Sequence, residues 1–339
     1  MENFSSYICN MLNIMFNIDF KDRKILYELD WNSRAPLSEI GKRVHLSKPV
    51  VKYRIDRLYE NGIISNFHTV INTGLLGYKP IRFHFTYQYK TPEIEKQIVD
   101  YFIDHKYSTI VASTQGIFDL SILFQIKELS DFTRLWTAIQ NRFVEFFKDQ
   151  KVSFPVYDIH HRLSFLMLDH HERSDREMTL GINYYDKSKV KTDDKDMRIL
   201  KLISANARMP LIKIAEKCDL SDSAVKYRLK NLMGQNIIQG YRISIDYSKI
   251  GYQLIRVYIY MKRYGLRNKI INYIKYNPHL TWVDTTVGES HLELEFQLKN
   301  VSQLYQIMQD ILKKFPDHIR NYEYLVIIKG YKHFYFPNQ

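Results

Sequence analysis

Two stretches of the 339-residue chain share one pattern of apolar and polar positions. At 46–64, LSKPVVKYRIDRLYENGII sets apolar residues at Val51, Ile55 and Leu58. At 220–238, LSDSAVKYRLKNLMGQNII sets them at Val225, Leu229 and Leu232. The spacing i, i+4, i+7 draws one buried stripe along an amphipathic helix. A serine opens each stretch (Ser47, Ser221), where a hydroxyl caps first-turn amides. The face opposite the stripe carries Pro49, Tyr53 and Asp56 in the first copy and Ser223, Tyr227 and Lys230 in the second. Lys52 and Lys226 flank that face. Arg54 and Arg228 lie nearer the buried boundary, where a long stem packs and the guanidinium reaches the edge.

The likeness extends well beyond these helices. Placing 19–82 over 193–256 without a gap matches 24 identical residues in 64 positions, which means duplication. In each copy the pattern predicts a first helix at 22–29 (196–203). A short second helix at 37–44 (211–218) follows Pro36 or Pro210, where a missing amide proton costs nothing. A tight turn at His45 or Asp219 leads to the third helix, closed by Gly62 or by Asn236. Two helices joined by about three or four residues, the second presenting polar side chains, form a helix-turn-helix. The alternating stretches 63–71 and 237–245 predict a small wing hairpin.

A second pattern also occurs twice. Strand 78–89, helix 93–105, a hairpin of 108–115 and 118–126 turning at Gly116, helix 130–147 and strand 152–160 make the first occurrence. Segments 252–263, 266–276, 281–287, 292–298, 301–315 and 322–328 make the second. Strand-helix-strand-strand-helix-strand is the ferredoxin-like order. One sheet face is expected under the two helices. The other, taken as rich in Tyr and Phe, needs a second sheet over it. The fold class is therefore α+β: a tandem duplication of a winged helix-turn-helix followed by a ferredoxin-like βαββαβ unit. The divisions are an N-terminal extension at 1–18, winged helix-turn-helix units at 19–77 and 193–251, and ferredoxin-like units at 78–165 and 252–339. Polar residues 166–192 read as a linker, whose flexible span is on the order of 30 Å.

A formal charge of +12 and a pI near 9.3 favour a polyanionic partner. Basic residues exceed acidic ones only modestly in each repeat, so charge alone does not select DNA; helix shape carries that argument. Two cysteines, Cys9 and Cys218, cannot build a disulfide framework and point to a reducing compartment. The apolar start lacks a basic leader and a small-residue cleavage site, and no run reaches transmembrane length, so the default location is cytoplasmic, with no membrane partner.

The run Asp22…Ile25-Leu26, Asn32-x-Arg34-x-Pro36-Leu37-x-x-Ile40, Leu46-Ser47…Val51-x-Tyr53-Arg54-Ile55-x-x-Leu58…Gly62-Ile63-Ile64 resembles the Lrp/AsnC (feast-or-famine) transcription regulators. The likeness covers 19–165 and 193–337; its second part rests on the order of elements. The resemblance implies double-stranded DNA bound by the third helix and assembly through the sheets. It also implies, in many members, a small amino-acid-like effector held between assembled domains. Two departures stand out. Two units are fused here, which allows a pseudo-dimer within one chain or a homodimer. The family's Gly-x-x-Asp is kept as Gly116 and Asp119 but becomes Gly288 and His291 in the second copy, so a symmetric effector site is in doubt.

The expected mechanism places the two recognition helices in successive major grooves of a pseudo-palindromic site, half-sites roughly 34–36 Å apart. The first copy presents Lys48, Pro49 and Arg57 where the second presents Asp222, Ser223 and Asn231. The DNA-binding candidates are Ser47, Lys48, Pro49, Lys52, Tyr53, Arg54, Arg57, Ser221, Asp222, Ser223, Lys226, Tyr227, Arg228 and Lys230. The lysines and arginines are expected on phosphates; Tyr53, Tyr227 and positions 48–49 and 222–223 are the base readers. No metal, cofactor or catalytic residue is assigned. His160-His161 and His170-His171 invite a metal, yet neighbours on a strand point to opposite faces. Two alternatives stay open. One is an enzyme akin to the sirohaem decarboxylases, which share this architecture, with His68, His84, His160 and His161 recruited. The other is an architectural binder with little sequence preference.

Overall fold

The computed structural model describes residues 16–168, 176–186, 188 and 190–337. The first winged unit holds α1 (Phe20–Trp31), α2 (Leu37–Val44), α3 (Lys48–Glu60) and β1 (Ile64–Ile71). There follow β2 (Lys79–Tyr87), α4 (Pro92–Asp104), β3 (Ser108–Gly116), β4 (Leu120–Ile126), α5 (Leu129–Phe143) and β5 (Phe147–His161). After β6 (Thr179–Asn183) come α6 (Asp194–Ala205), α7 (Leu211–Cys218), α8 (Asp222–Gly234) and β7 (Ile238–Ile245). The chain ends with β8 (Gln253–Met261), α9 (Arg267–Ile274), β9 (Leu280–Val287), β10 (Leu292–Leu298), α10 (Val301–Lys314) and β11 (Ile319–His333).

The predicted wing hairpin does not form within either copy. β1 pairs antiparallel with β7, Ile64 opposite Ile245 and Ile71 opposite Ile238. An alternating strand needs an edge to pair with, and here the other copy supplies it. The exchange reaches into the cores. Ile243, Ile245, Ile250 and Tyr252 complete the core of α1–α3, while Ile71 and Tyr78 complete that of α6–α8. The register sets His68 opposite its own counterpart, Arg242, so the pseudo-two-fold axis passes between those two residues.

The ferredoxin-like units share one sheet. Its order is β2-β4-β3-β11-β8-β10-β9-β5, and β5 also pairs with β2, so eight strands close a hydrogen-bonded ring. β5 and β11 are each 15 residues long, more than their apolar pattern suggested, because each bridges two partners around the ring. Residues 147–153 of β5 pair with β2, and 154–160 pair with β9. β11 pairs with β8 through 319–327 and with β3 through 325–333.

Helices cover the outer face, where Ile81, Phe83 and Phe85 pack with Phe102, Ile139 and Phe143. The inner face carries the aromatics Tyr258 and Phe118, packed on His84, and also charge that the sequence did not suggest. Arg82, His84, Asp158, Arg256, Asp284, Glu293 and Glu295 are buried there. Arg82 donates to Asp284 at 2.7 Å and also to Glu293, and Arg256 pairs with Glu293 and Glu295. Alternation along β2 and β8 puts these charges opposite the helices, and the facing half of the ring neutralises them.

The stretch 166–192 is more than a polar tether. Ser164–Met167 is a buried 3₁₀ turn, and β6 adds to the outer edge of β5. The Arg176 guanidinium is buried, donating to the Arg162, Lys275 and Leu280 carbonyls. His170 and His171 lie outside the described residues, as do Cys9 and most of the N-terminal extension. No helix among the described residues is long and apolar enough to cross a membrane.

Candidate nucleic-acid interface

Each recognition helix is seated by the residues just before the first helix of its unit. Asp19 and Asp22 form a capping box on α1, and Asp193 and Asp196 form its equivalent on α6. The same carboxylates hold the arginines of the recognition helix. Arg54 donates to Asp19 and Asp22, each at 2.8 Å, and Arg57 donates to Asp22 at 2.5 Å. Arg228 likewise donates to Asp193 and Asp196 at 2.8 Å. Donating to these carboxylates holds the Arg54 and Arg228 guanidiniums above their ordinary pKa. The arginines thus fasten α3 and α8 to their scaffolds before any ligand arrives. Sequence reasoning missed the capping boxes, although Asp19/Asp193 and Asp22/Asp196 are identical in the repeat.

The rest of the predicted set faces outward. Tyr53 and Tyr227 are 65% and 66% exposed, a near-identical presentation in the two copies. Ser47, Lys48, Pro49, Lys52, Ser221, Asp222, Ser223, Lys226 and Lys230 are also exposed. Lys52 contacts Asp56 one turn on, at 2.5 Å. Ser221 caps α8 by accepting from the Ala224 amide, 3.2 Å away. Ser47 makes no such bond. Pro49, in the first turn of α3, removes one of the amides it would cap. His45 and Asp219 both adopt left-handed backbone in the turn, at φ 57° and 53°.

A reciprocal clasp joins the two units. Arg34 donates to the Ala207 carbonyl at 2.5 Å and the Met209 carbonyl at 3.2 Å, and Arg208 donates to the Ser33 carbonyl at 2.5 Å. Ser33 and Ala207 amides in turn reach the Tyr241 and Phe67 carbonyls. The Asn-x-Arg-x-Pro run was quoted as a family mark; its arginine is the piece that fixes one reading head against the other.

The residues named for an effector sit at matched hairpin ends. Gly116 and Gly288 have φ of 133° and 116°. A Cβ on Gly116 would lie 2.7 Å from the Tyr324 carbonyl oxygen, and one on Gly288 equally close to that of Val152. Both glycines therefore let strands of the two units meet within the shared sheet. Asp119 accepts the Tyr87 amide and His291 accepts the Met261 amide, each at 2.8 Å. The Asp-to-His change preserves one acceptor, and burial, then the Arg320 and Arg267 charges, lower the His291 pKa, favouring the neutral ring.

The described histidines suspected of catalysis or metal binding are core residues. His68, His84, His160 and His161 are all buried. His160 packs on Trp282, His68 stacks on Tyr335, and His84 stacks on Phe118. Among the described residues no group of three or more His, Cys, Asp or Glu is arranged to hold a metal.

A winged helix-turn-helix DNA-binding family model matches residues 19–65 and 192–239. The chain is 42% identical over 65 residues to the HTH-type transcriptional regulator LrpA of Pyrococcus horikoshii; the match covers 19% of this chain and 46% of that protein. It is 26% identical over 147 residues to LrpB of Bacillus subtilis, covering 43% of this chain and 95% of that one. The chain thus spans less than half the length of some curated relatives that it matches and nearly all of another. The crystal structure of the siroheme decarboxylase NirDL superposes with a TM-score of 0.60 at 13% identity, over 92% of both chains, a likeness of fold. With its duplicated helix-turn-helix DNA-binding unit and its ferredoxin-like ring, the chain is similar to the HTH-type transcriptional regulators LrpA and LrpB.

Proposed function

We propose that the chain is a DNA-binding transcription regulator whose two recognition helices, α3 and α8, engage one duplex. One observation carries the reading: Tyr53 and Tyr227 stand equally exposed, each beside an exposed lysine, on helices that a reciprocal arginine clasp fixes to each other. Exposed lysines suit phosphates, and two fixed heads suit two half-sites of one duplex. Lys48-Pro49 in one head and Asp222-Ser223 in the other make the preferred site asymmetric. A small effector at the ferredoxin-like units stays part of this proposal, with Gly116, Asp119, Gly288 and His291 as its candidate residues. The test is selection of duplex sequences from a random pool, followed by affinity measurements over a range of salt. Enrichment of a two-part site supports the regulator. Tight binding with no enrichment supports the architectural binder, and no binding at low salt rejects both.

A second reading follows from the fold shared with NirDL over 92% of each chain. A decarboxylase acting on a tetrapyrrole needs reachable basic groups, and the buried histidines answer that need only if the core opens. Visible absorbance during titration with an iron porphyrin separates the readings: a saturable Soret shift, lost on replacing His160, favours the enzyme.

A further inference from the structure

A cavity of about 440 Å³ lies between α3 of the first unit and the turn after α6 of the second. That size falls within the range of small-molecule sites. Its polar groups are mostly donors. Asn66 and Asn206 each spend their side-chain oxygen on a backbone amide, of Phe67 at 2.8 Å and of Arg208 at 2.9 Å, which leaves both NH₂ groups to the cavity. Arg208 lies over the Phe67 ring at 5.4 Å and gives one bond to the Ser33 carbonyl. No carboxylate among the described residues lies within ion-pair distance of it, whereas Lys52 is already matched by Asp56. Burial, and then the neighbouring Arg34 charge, lower the Arg208 pKa and outweigh the opposing pull of Asp56 across the cavity, so a further anion placed on Arg208 is favoured. The Tyr59 and Phe67 rings line one wall, stacked at 6.0 Å with 16° between their planes.

We propose that this cavity binds a small planar aromatic monocarboxylate, its carboxylate on Arg208 with the Asn66 and Asn206 amides and its ring against Tyr59 and Phe67. The site belongs to one half only. The matching positions of the second copy hold Met233 for Tyr59, Lys230 for Asp56 and Gly240 for Asn66. Because Lys52 and Asp56 line the cavity and ride on the outer side of α3, occupancy changes the face offered to DNA; this last step rests on the DNA-binding reading.

Calorimetric titration of the full chain with indole-3-carboxylate, without DNA, tests the site. One saturable site per chain is expected, weakened about tenfold or more by Arg208→Gln, which keeps a donor for the Ser33 carbonyl, and by Tyr59→Ala at an exposed position. Met233→Ala is expected to leave binding unchanged. Absence of saturable binding, equal binding of the uncharged indole-3-carboxamide, or unaltered affinity in the Tyr59→Ala chain overturns the assignment, even should Arg208→Gln fail to fold. Duplex affinity is then compared with and without saturating acid. A chain that binds the acid but no duplex keeps the site and rejects the DNA reading. A chain that binds duplex equally well in both conditions keeps the site and rejects the regulatory step.

Discussion

Lys226 and Lys52 differ in one respect that experiment can read. Lys52 has Asp56 one turn on, while Lys226 has Lys230 there. An exposed pair of this kind contributes little, so Lys52 can exchange its partner for a phosphate, but Lys226 starts without that competitor. On duplex DNA, Lys226→Ala is expected to lower the slope of log affinity against log salt by about 0.9, and Lys52→Ala by no more than that. Slopes equal to the unaltered chain in both variants would remove these side chains from the phosphates. Gly116 and Gly288 make a second residue-scale prediction. Alanine at either meets both a positive φ and a backbone oxygen 2.7 Å from the new carbon. A loss of about 1–3 kcal/mol in denaturant unfolding is expected for each. Much at this scale was legible beforehand: the exposed Lys-Tyr pair, the buried Val51-Ile55-Leu58 stripe and the left-handed closures at Gly62 and Asn236 follow from local pattern. The fate of Arg54 and Arg228 was not, because their partners are capping aspartates 32 and 35 residues away.

At the level of elements, the arginine clasp and the β1–β7 ladder carry the geometry between the reading heads. Arg34→Ala removes donors from two carbonyls of the other unit while leaving α1, α2 and α3 with their own cores. About 1–3 kcal/mol of stability is expected to go. Affinity for a two-part site should fall further than affinity for an isolated half-site, because the heads lose their fixed spacing. Equal loss on both probes would show that the clasp does not set spacing. The hairpin expected of each wing was misplaced for a physical reason: alternation shows that a strand has a buried and an exposed face but does not name the edge it pairs with. The same gap hid the start of β5 and the end of β11. In β11, Lys329 and Lys332 look like loop until β3 of the other copy is present; in β5, Lys148 and Lys151 look like loop until β2 of their own copy is placed beside them.

The whole molecule buries charge where its two halves meet. Removing Arg82 takes the arginine from buried Asp284 and leaves buried Glu293 with Arg256 as its only arginine partner among the described residues, so Arg82→Ala is expected to cost about 3–5 kcal/mol, read from chemical unfolding. The buried histidines give a pH dependence with a definite sign. Burial lowers the pKa of His68, His84, His160 and His333, and brings His161 down to about 3. The unfolded chain takes protons on these rings below about pH 6.5, while the folded chain refuses them until far lower. Their contribution is therefore intact above that value and is lost as pH falls from it. The melting temperature should drop steadily from about pH 7 to about pH 5, and a flat profile over that range would contradict the burial. This interior was illegible in the sequence because a lone Arg or His on an alternating strand reads as an outward residue. Only the closure of the ring turns that face inward.

The crossing point of β1 and β7 has a consequence for how such a protein could arise and persist. A residue lying on a two-fold axis in a true homodimer must tolerate its own image. Here the chain sets His68 against Arg242, and Arg242 is met at 2.6 Å by Asp30, whose counterpart is Ser204. Two copies of the second half would bring arginine against arginine with no acid beside either. Two copies of the first would leave each Asp30 with the Leu163 amide but without the arginine. Fusion has freed the axis from self-compatibility: at this crossing each half supplies what the other lacks.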